Sequence, residues 1–292
     1  MTAALAAALI VAVGALPFMG MAGTAPAATD TPRDEAPRRV VSINLCTDQL
    51  AMLLAAPGQL ISVTDFARDP RQSVLAEAAA DIPVNHARAE EVYLLHPDLV
   101  LASDFTAPAT LDMLRRLGIR VVIFKATNSL AEVEAQIREM GAVLGRRQAG
   151  EAMAAHFAAD LAALRREAAQ GRHPGAVIYE ANGYAPGSAT LAGDILAAAG
   201  FANRADDAGL AAGGMLALEE LVMLAPDAII NPPPPRAMSR GDELVMHPAL
   251  RRIAAAMPDM PQTGPDWTCA TPAVLDAVRG LSAARRAMER GQ

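Results

Sequence analysis

Aromatic residues make up only 3% of this 292-residue chain: six Phe, three Tyr and a single Trp. A core must then come from aliphatic side chains, and an aromatic that falls in a loop becomes informative. Cysteine is scarce too, with Cys46 and Cys269 the whole complement. They form no C-x-x-C pair, so there is no dithiol redox motif. Also missing are G-x-S-x-G, H-E-x-x-H and a phosphate-binding glycine loop, which mark common hydrolases, zinc proteases and nucleotide enzymes. There is no basic stripe. With a formal charge of −7, the chain is a poor match for nucleic acid or an anionic membrane surface. Lys125 is the sole lysine beside many arginines, which reads as genomic base composition.

The stretch from Met1 to Ala27 holds no charged side chain. Its Ala/Leu/Val/Ile run ends near Phe18, short for a membrane span, and Ala25-Pro26-Ala27 offers an A-x-A cleavage site. This predicts a signal peptide over 1–27, a disordered Pro/Thr/Asp-rich tether over 28–38, and export to the periplasm. An uncleaved anchor is the competing expectation. A lipid anchor is not expected, because neither cysteine follows the apolar run.

An uninterrupted helical run from about Arg147 to Gln170 organises the rest of the chain. Met153, Phe157, Leu161, Leu164 and Ala168 recur at steps of three and four and share one helix face. At about 1.5 Å per residue the rod is roughly 36 Å long. On either side stand two similar segments, EEVYLLHPDLVLAS from Glu90 and EELVMLAPDAIINP from Glu219. Each reads as a short helix, a Pro-Asp turn and a buried strand. The spacing predicts an α/β chain with lobes over 39–146 and 172–290 around an interlobe helix over 147–171.

Within the first lobe, Val40 to Ile43, Gln59 to Val63, Leu95 to Ala102 and Ile119 to Phe124 read as strands. Thr47 is placed to cap a helix from Asp48 to Ala55, with Asp48 favourable to its dipole. Ser129 caps a later helix that ends at Gly145. Strands alternating with helices predict a parallel sheet covered on both faces, whose ligand sits at the strands' carboxyl ends. Those ends are where the aromatics gather: Phe66, Phe105, Tyr184 and Trp267 all fall in predicted loops. Plugging the ends of a core is the structural explanation, and a binding surface is the functional one.

The combination of RRVVSIN, PDLVLAS, PDAIINP, LGIRVVIF, the rod, GDILAAAGFAN and DWTCATP resembles the class III solute-binding proteins of ATP-driven importers. Members of that family deliver cobalamin, ferric siderophores or haem. The resemblance covers roughly Arg38 to Arg286. It implies two Rossmann-like lobes with mainly parallel sheets, joined by one long rigid helix, with the ligand clamped between them. It also implies a monomer without an intrinsic cofactor or catalysis, working with a membrane permease and its ATPase. Glu90 and Glu219 are similar in position to the family's permease-docking glutamates, though each also suits simple dipole chemistry at a helix start. Trp267 stands where the family sets an aromatic against a macrocycle. Phe66, Phe105 and Tyr184 are candidates for the same cleft, and Arg68 and Arg236 for pairing with ligand carboxylates or phosphate. Ser103 replaces the bulky aromatic of cobalamin-binding relatives.

Some assignments stay open at this level. Cys46 and Cys269 both lie at predicted strand ends facing the cleft. They fit a disulfide that staples the lobes, a ligand contact, or inert thiols. The five histidines are scattered, and only His86 lies close enough in sequence to the cleft to serve as a metal ligand. Two other functions compete: a carrier of free zinc or manganese on the same scaffold, and a secreted enzyme with Cys46 as nucleophile and His86 or Asp65 as its partner.

Overall fold

The computed structural model of the chain describes residues 36–235 and 239–290. The expected signal peptide, most of the expected tether and Arg236 lie outside the described residues. Among the described residues no helix is long and apolar enough to cross a membrane.

Short aliphatic runs build the first lobe. Its elements are β1 (Val40–Ser42), α1 (Leu45–Leu54), β2 (Leu60–Thr64), β3 (Val84–Asn85), α2 (Ala89–Leu94), β4 (Leu99–Ser103), α3 (Pro108–Arg116), β5 (Val121–Phe124) and α4 (Leu130–Val143). The strands pair in parallel in the order β3-β2-β1-β4-β5. Helices cover both faces, so consecutive residues must be apolar rather than alternate ones. Val40, Leu99 and Leu101 pack with Leu50 and Leu54 of α1 and Leu130 and Ile137 of α4. Val41, Val100 and Ala102 pack with Val92 of α2 and Leu111 and Leu114 of α3.

The cap of α1 differs from expectation. Asn44, with extended backbone, accepts hydrogen bonds from the Cys46 and Thr47 amides, which makes it the N-cap. Thr47 is already inside the first turn and buried, its hydroxyl 2.7 Å from that of Ser42. Ser129 does cap α4, accepting from the Glu132 amide at 3.3 Å.

The chain then enters α5 (Arg147–Ala168) and the second lobe. This lobe runs as β6 (Gly175–Ile178), β7 (Tyr184–Ala185), α6 (Leu191–Ala198), β8 (Ala202–Asn203), β9 (Gly214–Met215), α7 (Leu218–Leu224), β10 (Ala228–Ile230), α8 (Pro248–Ala254), α9 (Pro265–Thr268) and α10 (Val274–Arg290). A three-stranded parallel sheet in the order β10-β6-β8 stands beside the antiparallel pair β7-β9. Phe157 and Leu161 of α5 belong to one core that also holds Leu101 and Ile137 from the first lobe and Ile178, Ile195 and Val278 from the second. Helices α4 and α5 cross closely at two glycines. A Cβ on Gly141 would stand 2.8 Å from the Gly150 Cα, so neither position has room for a larger residue.

The two repeats fold alike. Each short helix ends in a residue of left-handed backbone before the proline, His96 at φ 47° and Ala225 at φ 41°. Each following aspartate then ties down the start of the neighbouring strand. Asp98 accepts from the Arg38 and Arg39 amides at 2.7 and 3.0 Å, and Asp227 from the Gly175 amide at 2.7 Å. The Pro-Asp turn therefore fixes where β4 meets β1 and where β10 meets β6.

Asp48 stands in the first turn of α1 as expected, but its side chain turns inward. It is fully buried, and one carboxyl oxygen accepts from the Thr64 amide (3.0 Å) and hydroxyl. The other oxygen has no partner. Burial pushes its pKa up to about 7, against the lowering effect of the Thr64 hydrogen bonds. The native state thus holds this proton more tightly than the unfolded chain, so stability falls as pH rises from about 4 to about 7 and this group changes nothing further above that. Asp48→Asn keeps an acceptor for Thr64 without the buried charge. Urea unfolding should show little difference from wild type near pH 4.5 and a gain of about 1–3 kcal/mol at pH 8. An equal effect at both pH values would rule out the buried-charge account.

A disulfide joins Cys46, in the first turn of α1, to Cys269, just after α9, with Cα atoms 5.0 Å apart and a sequence separation of 223. It links the two lobes. Closing so long a loop restricts the unfolded chain strongly, and the Cys46→Ser, Cys269→Ser double variant should lose about 2–4 kcal/mol in urea unfolding. An unchanged midpoint would mean that the bond contributes nothing to holding the lobes together.

Candidate functional site

The carboxyl ends of β1, β4 and β5 face those of β6 and β7 across a cleft of about 430 Å³, with α9 closing one side. From the first lobe it is lined by Asn44 and Thr47 after β1, by Ser103, Asp104 and Phe105 after β4, and by Lys125 to Asn128 after β5. The second lobe contributes Glu180, Tyr184, Thr190, Trp267 and Thr268. This is where parallel sheets expose backbone ends and helix N-termini to a ligand.

Local chemistry shapes each wall. The Ser103 hydroxyl accepts from the Phe105 amide at 3.2 Å, and the Thr106 hydroxyl accepts from the Ser103 amide at 3.1 Å. This tight turn holds the Phe105 ring outward, 80% exposed. Asp104 accepts from the Ala126 amide at 3.2 and 3.1 Å, binding the β4 loop to the β5 loop. Across the cleft, Asn182 at φ 59° and Gly183 at φ 76° make the turn that brings Tyr184 to the rim. Trp267 is half-buried and packs against the main core, so its ring is supported from behind. Glu180 carries a carboxyl whose pKa burial raises above the usual carboxylate range.

The candidates from sequence divide. Phe105, Tyr184, Trp267 and Cys46 line the cleft, while Cys269 is buried beneath it in the disulfide. Phe66 lies in a 3-10 turn over Asp65–Arg68, 51% exposed and not among the lining residues. Arg68 is also elsewhere, because its guanidinium donates to the Ala79 and Ile82 carbonyls at 3.2 and 2.7 Å and pins its own loop. Arg236 lies outside the described residues. His86 is held by Glu91, 3.0 Å from its Nδ1, outside the cleft. Glu90 and Glu219 are exposed in the first turns of α2 and α7.

Two cleft residues are not among the binding candidates that the sequence singles out. Lys125 reads as composition, yet it directly follows β5, the position from which a side chain reaches a ligand. Glu180 opens the loop after β6 for the same reason. One rival function loses ground on this geometry, the enzyme with Cys46 as nucleophile. Cys46, the candidate nucleophile, is bonded to Cys269. Among the described residues no three His, Cys, Asp or Glu side chains come together as a metal-binding group.

The relationships agree with this architecture. A curated cobalamin-binding protein of Halobacterium salinarum is 28% identical over 202 residues, covering 68% of this chain and 54% of that protein. An uncharacterised ABC transporter substrate-binding lipoprotein, YvrC of Bacillus subtilis, is 26% identical over 135 residues, covering 45% of this chain and 42% of its own length. The match therefore spans about half the length of these curated relatives. Among solved structures, the periplasmic vitamin B12 binding protein BtuF of Vibrio cholerae superposes with a TM-score of 0.65 at 17% identity, over 87% of this chain and 98% of that one. The apo periplasmic haem-binding protein RhuT of Roseiflexus sp. gives 0.64 at 24% identity, over 85% and 98%. A possible iron-binding periplasmic solute-binding protein of Staphylococcus epidermidis gives 0.70 at 16% identity, over 86% and 99%. At these identities the structures speak for the fold alone. A family model described as periplasmic binding protein matches residues 40–257, three-quarters of the chain and all three sheets of the described residues, and on that match the chain belongs to the periplasmic binding protein family.

Proposed function

We propose that this chain is the periplasmic ligand-capturing subunit of an ATP-driven importer, holding a large metal chelate or corrinoid between its lobes and passing it to a membrane permease. The observation that carries this is the cleft itself. In a chain so poor in aromatics, Phe105, Tyr184 and Trp267 line one opening between two sheets, beside the hydroxyls and amides of Thr47, Ser103, Thr127 and Asn128. Flat rings suit a macrocycle face, and neutral hydrogen-bonding groups suit its periphery. The Halobacterium relative named for cobalamin supports the same ligand range. The protein acts as a monomer after removal of a leader over 1–27, with lobes over 39–146 and 172–290 and the helix between them as a spine.

Delivery is assigned to Glu90 and Glu219. They occupy equivalent positions in the two repeats, and equivalent apolar neighbours are exposed beside them: Tyr93 and Leu94 on α2, Val222 and Met223 on α7. A permease with two similar halves and paired cations would meet both patches at once.

Trp267 is the single tryptophan and reports the cleft directly. Titration with cobalamin, haemin and ferric siderophores should quench its fluorescence saturably for at least one ligand at micromolar concentration or tighter. A Trp267→Ala variant, followed by calorimetry, should bind that ligand at least tenfold more weakly, about 1.4 kcal/mol. No binding by any of them would remove this assignment. For delivery, Glu90→Ala with Glu219→Ala should leave ligand affinity unchanged while uptake through the permease in proteoliposomes drops severalfold. Unimpaired uptake would exclude these residues as docking points.

A further inference from the structure

The charges lining the cleft are few and oddly arranged. Lys125 stands on the first-lobe wall at the end of β5, and Glu180 on the second-lobe wall at the end of β6. Within 4.0 Å of Lys125 there is no carboxylate among the described residues, and the Glu180 carboxyl accepts no hydrogen bond from them. Among the described lining residues Lys125 is the only cation. The third charge, Asp104, is already engaged by the Ala126 amide. Every other polar lining group is a neutral hydroxyl or amide.

A ligand that fills this cleft takes both free charges out of water. Each must then find a partner on the ligand, because an unpaired charge under a bound molecule opposes binding. Lys125 calls for one anionic group. Glu180, already reluctant to ionise where it sits, calls for a hydrogen-bond donor. A second or third anion on the ligand would meet no second cation on the described walls, and it would be repelled by Asp104 and Glu180.

We propose that the cleft selects an electroneutral, amide-rich chelate bearing a single phosphate or carboxylate that pairs with Lys125, while Glu180 takes an amide donor from the opposite side, and that it rejects polyanionic chelates. This rests on the cleft being the ligand site proposed above. It narrows the ligand range to corrinoids that carry a nucleotide phosphate. Haemin, with two carboxylates, and ferric tris-catecholates, with three net negative charges, fall outside it.

The test compares four probes by Trp267 quenching and calorimetry: cyanocobalamin, dicyanocobinamide (the same ring without the nucleotide phosphate), haemin and a ferric tris-catecholate. The wild-type protein should bind cyanocobalamin at least tenfold more tightly than haemin or the catecholate. Lys125→Gln should weaken cyanocobalamin binding about tenfold and cobinamide binding less than twofold. Glu180→Gln should improve haemin binding. Urea midpoints of both variants, compared with wild type, separate lost recognition from lost folding. Equal or tighter binding of haemin or catecholate would overturn the proposal while leaving the carrier function standing. So would a Lys125→Gln effect that is the same for cobalamin and cobinamide. If none of the four probes binds, the assignment of the cleft falls, and this proposal with it.

Discussion

The structure depends on one helix being buried from two sides. Phe157 and Leu161 of α5 are nearly inaccessible to solvent, and each contributes about 1.5–3 kcal/mol on leaving water. The core they enter is continuous, running from β1 and β4 through α4 and α5 to β6, α6 and α10. A hinge between the sheets would have to break that core. The Gly141–Gly150 approach brings α4 tight against α5, and the Cys46–Cys269 bond closes the opposite side. The walls of the cleft are therefore set before any ligand arrives.

The repeated Pro-Asp turn does the corresponding work within each lobe. Left-handed backbone at His96 and Ala225 costs each of these residues about 1–2 kcal/mol relative to glycine. The aspartate that follows offsets this by bonding the first amides of the next strand over. The same device in both lobes sets two parallel pairings in register and leaves Glu90 and Glu219 on equivalent outer surfaces.

The part of the structure legible in the sequence is the part written as pattern. The rod, the paired segments, the parallel first sheet and Phe105 beyond β4 follow from periodicity and turn chemistry, whereas Trp267 stands in the short helix α9 and Tyr184 opens β7, neither in the loop expected for it. Contacts between distant residues decide the remainder. The Asn44 cap is hidden because Thr47 has the same propensity and only the local backbone separates them. Asp48 reads as a dipole partner because nothing local reveals that Thr64, on another strand, receives its side chain. Arg68 reads as free for a ligand until folding brings the Ala79 and Ile82 carbonyls within reach. Two residues of β3 are too few to show any period, and the disulfide needs the geometry of two lobes.

A preformed cleft changes where discrimination must come from. With no lobe closure to drive, a ligand is judged by shape and by the charges it covers rather than by the motion it induces. Aromatic faces are tolerant, since any extended ring system can lie against Trp267 or Tyr184. Hydroxyls and amides are tolerant too, because water exchanges with a ligand's amides at small net gain. Lys125 and Glu180 are the groups that tolerate least, each being expensive to leave unmet under a bound ligand. In the recognition proposed for a cleft so short of charge, those two residues carry more of the specificity than the aromatics that first draw attention to it.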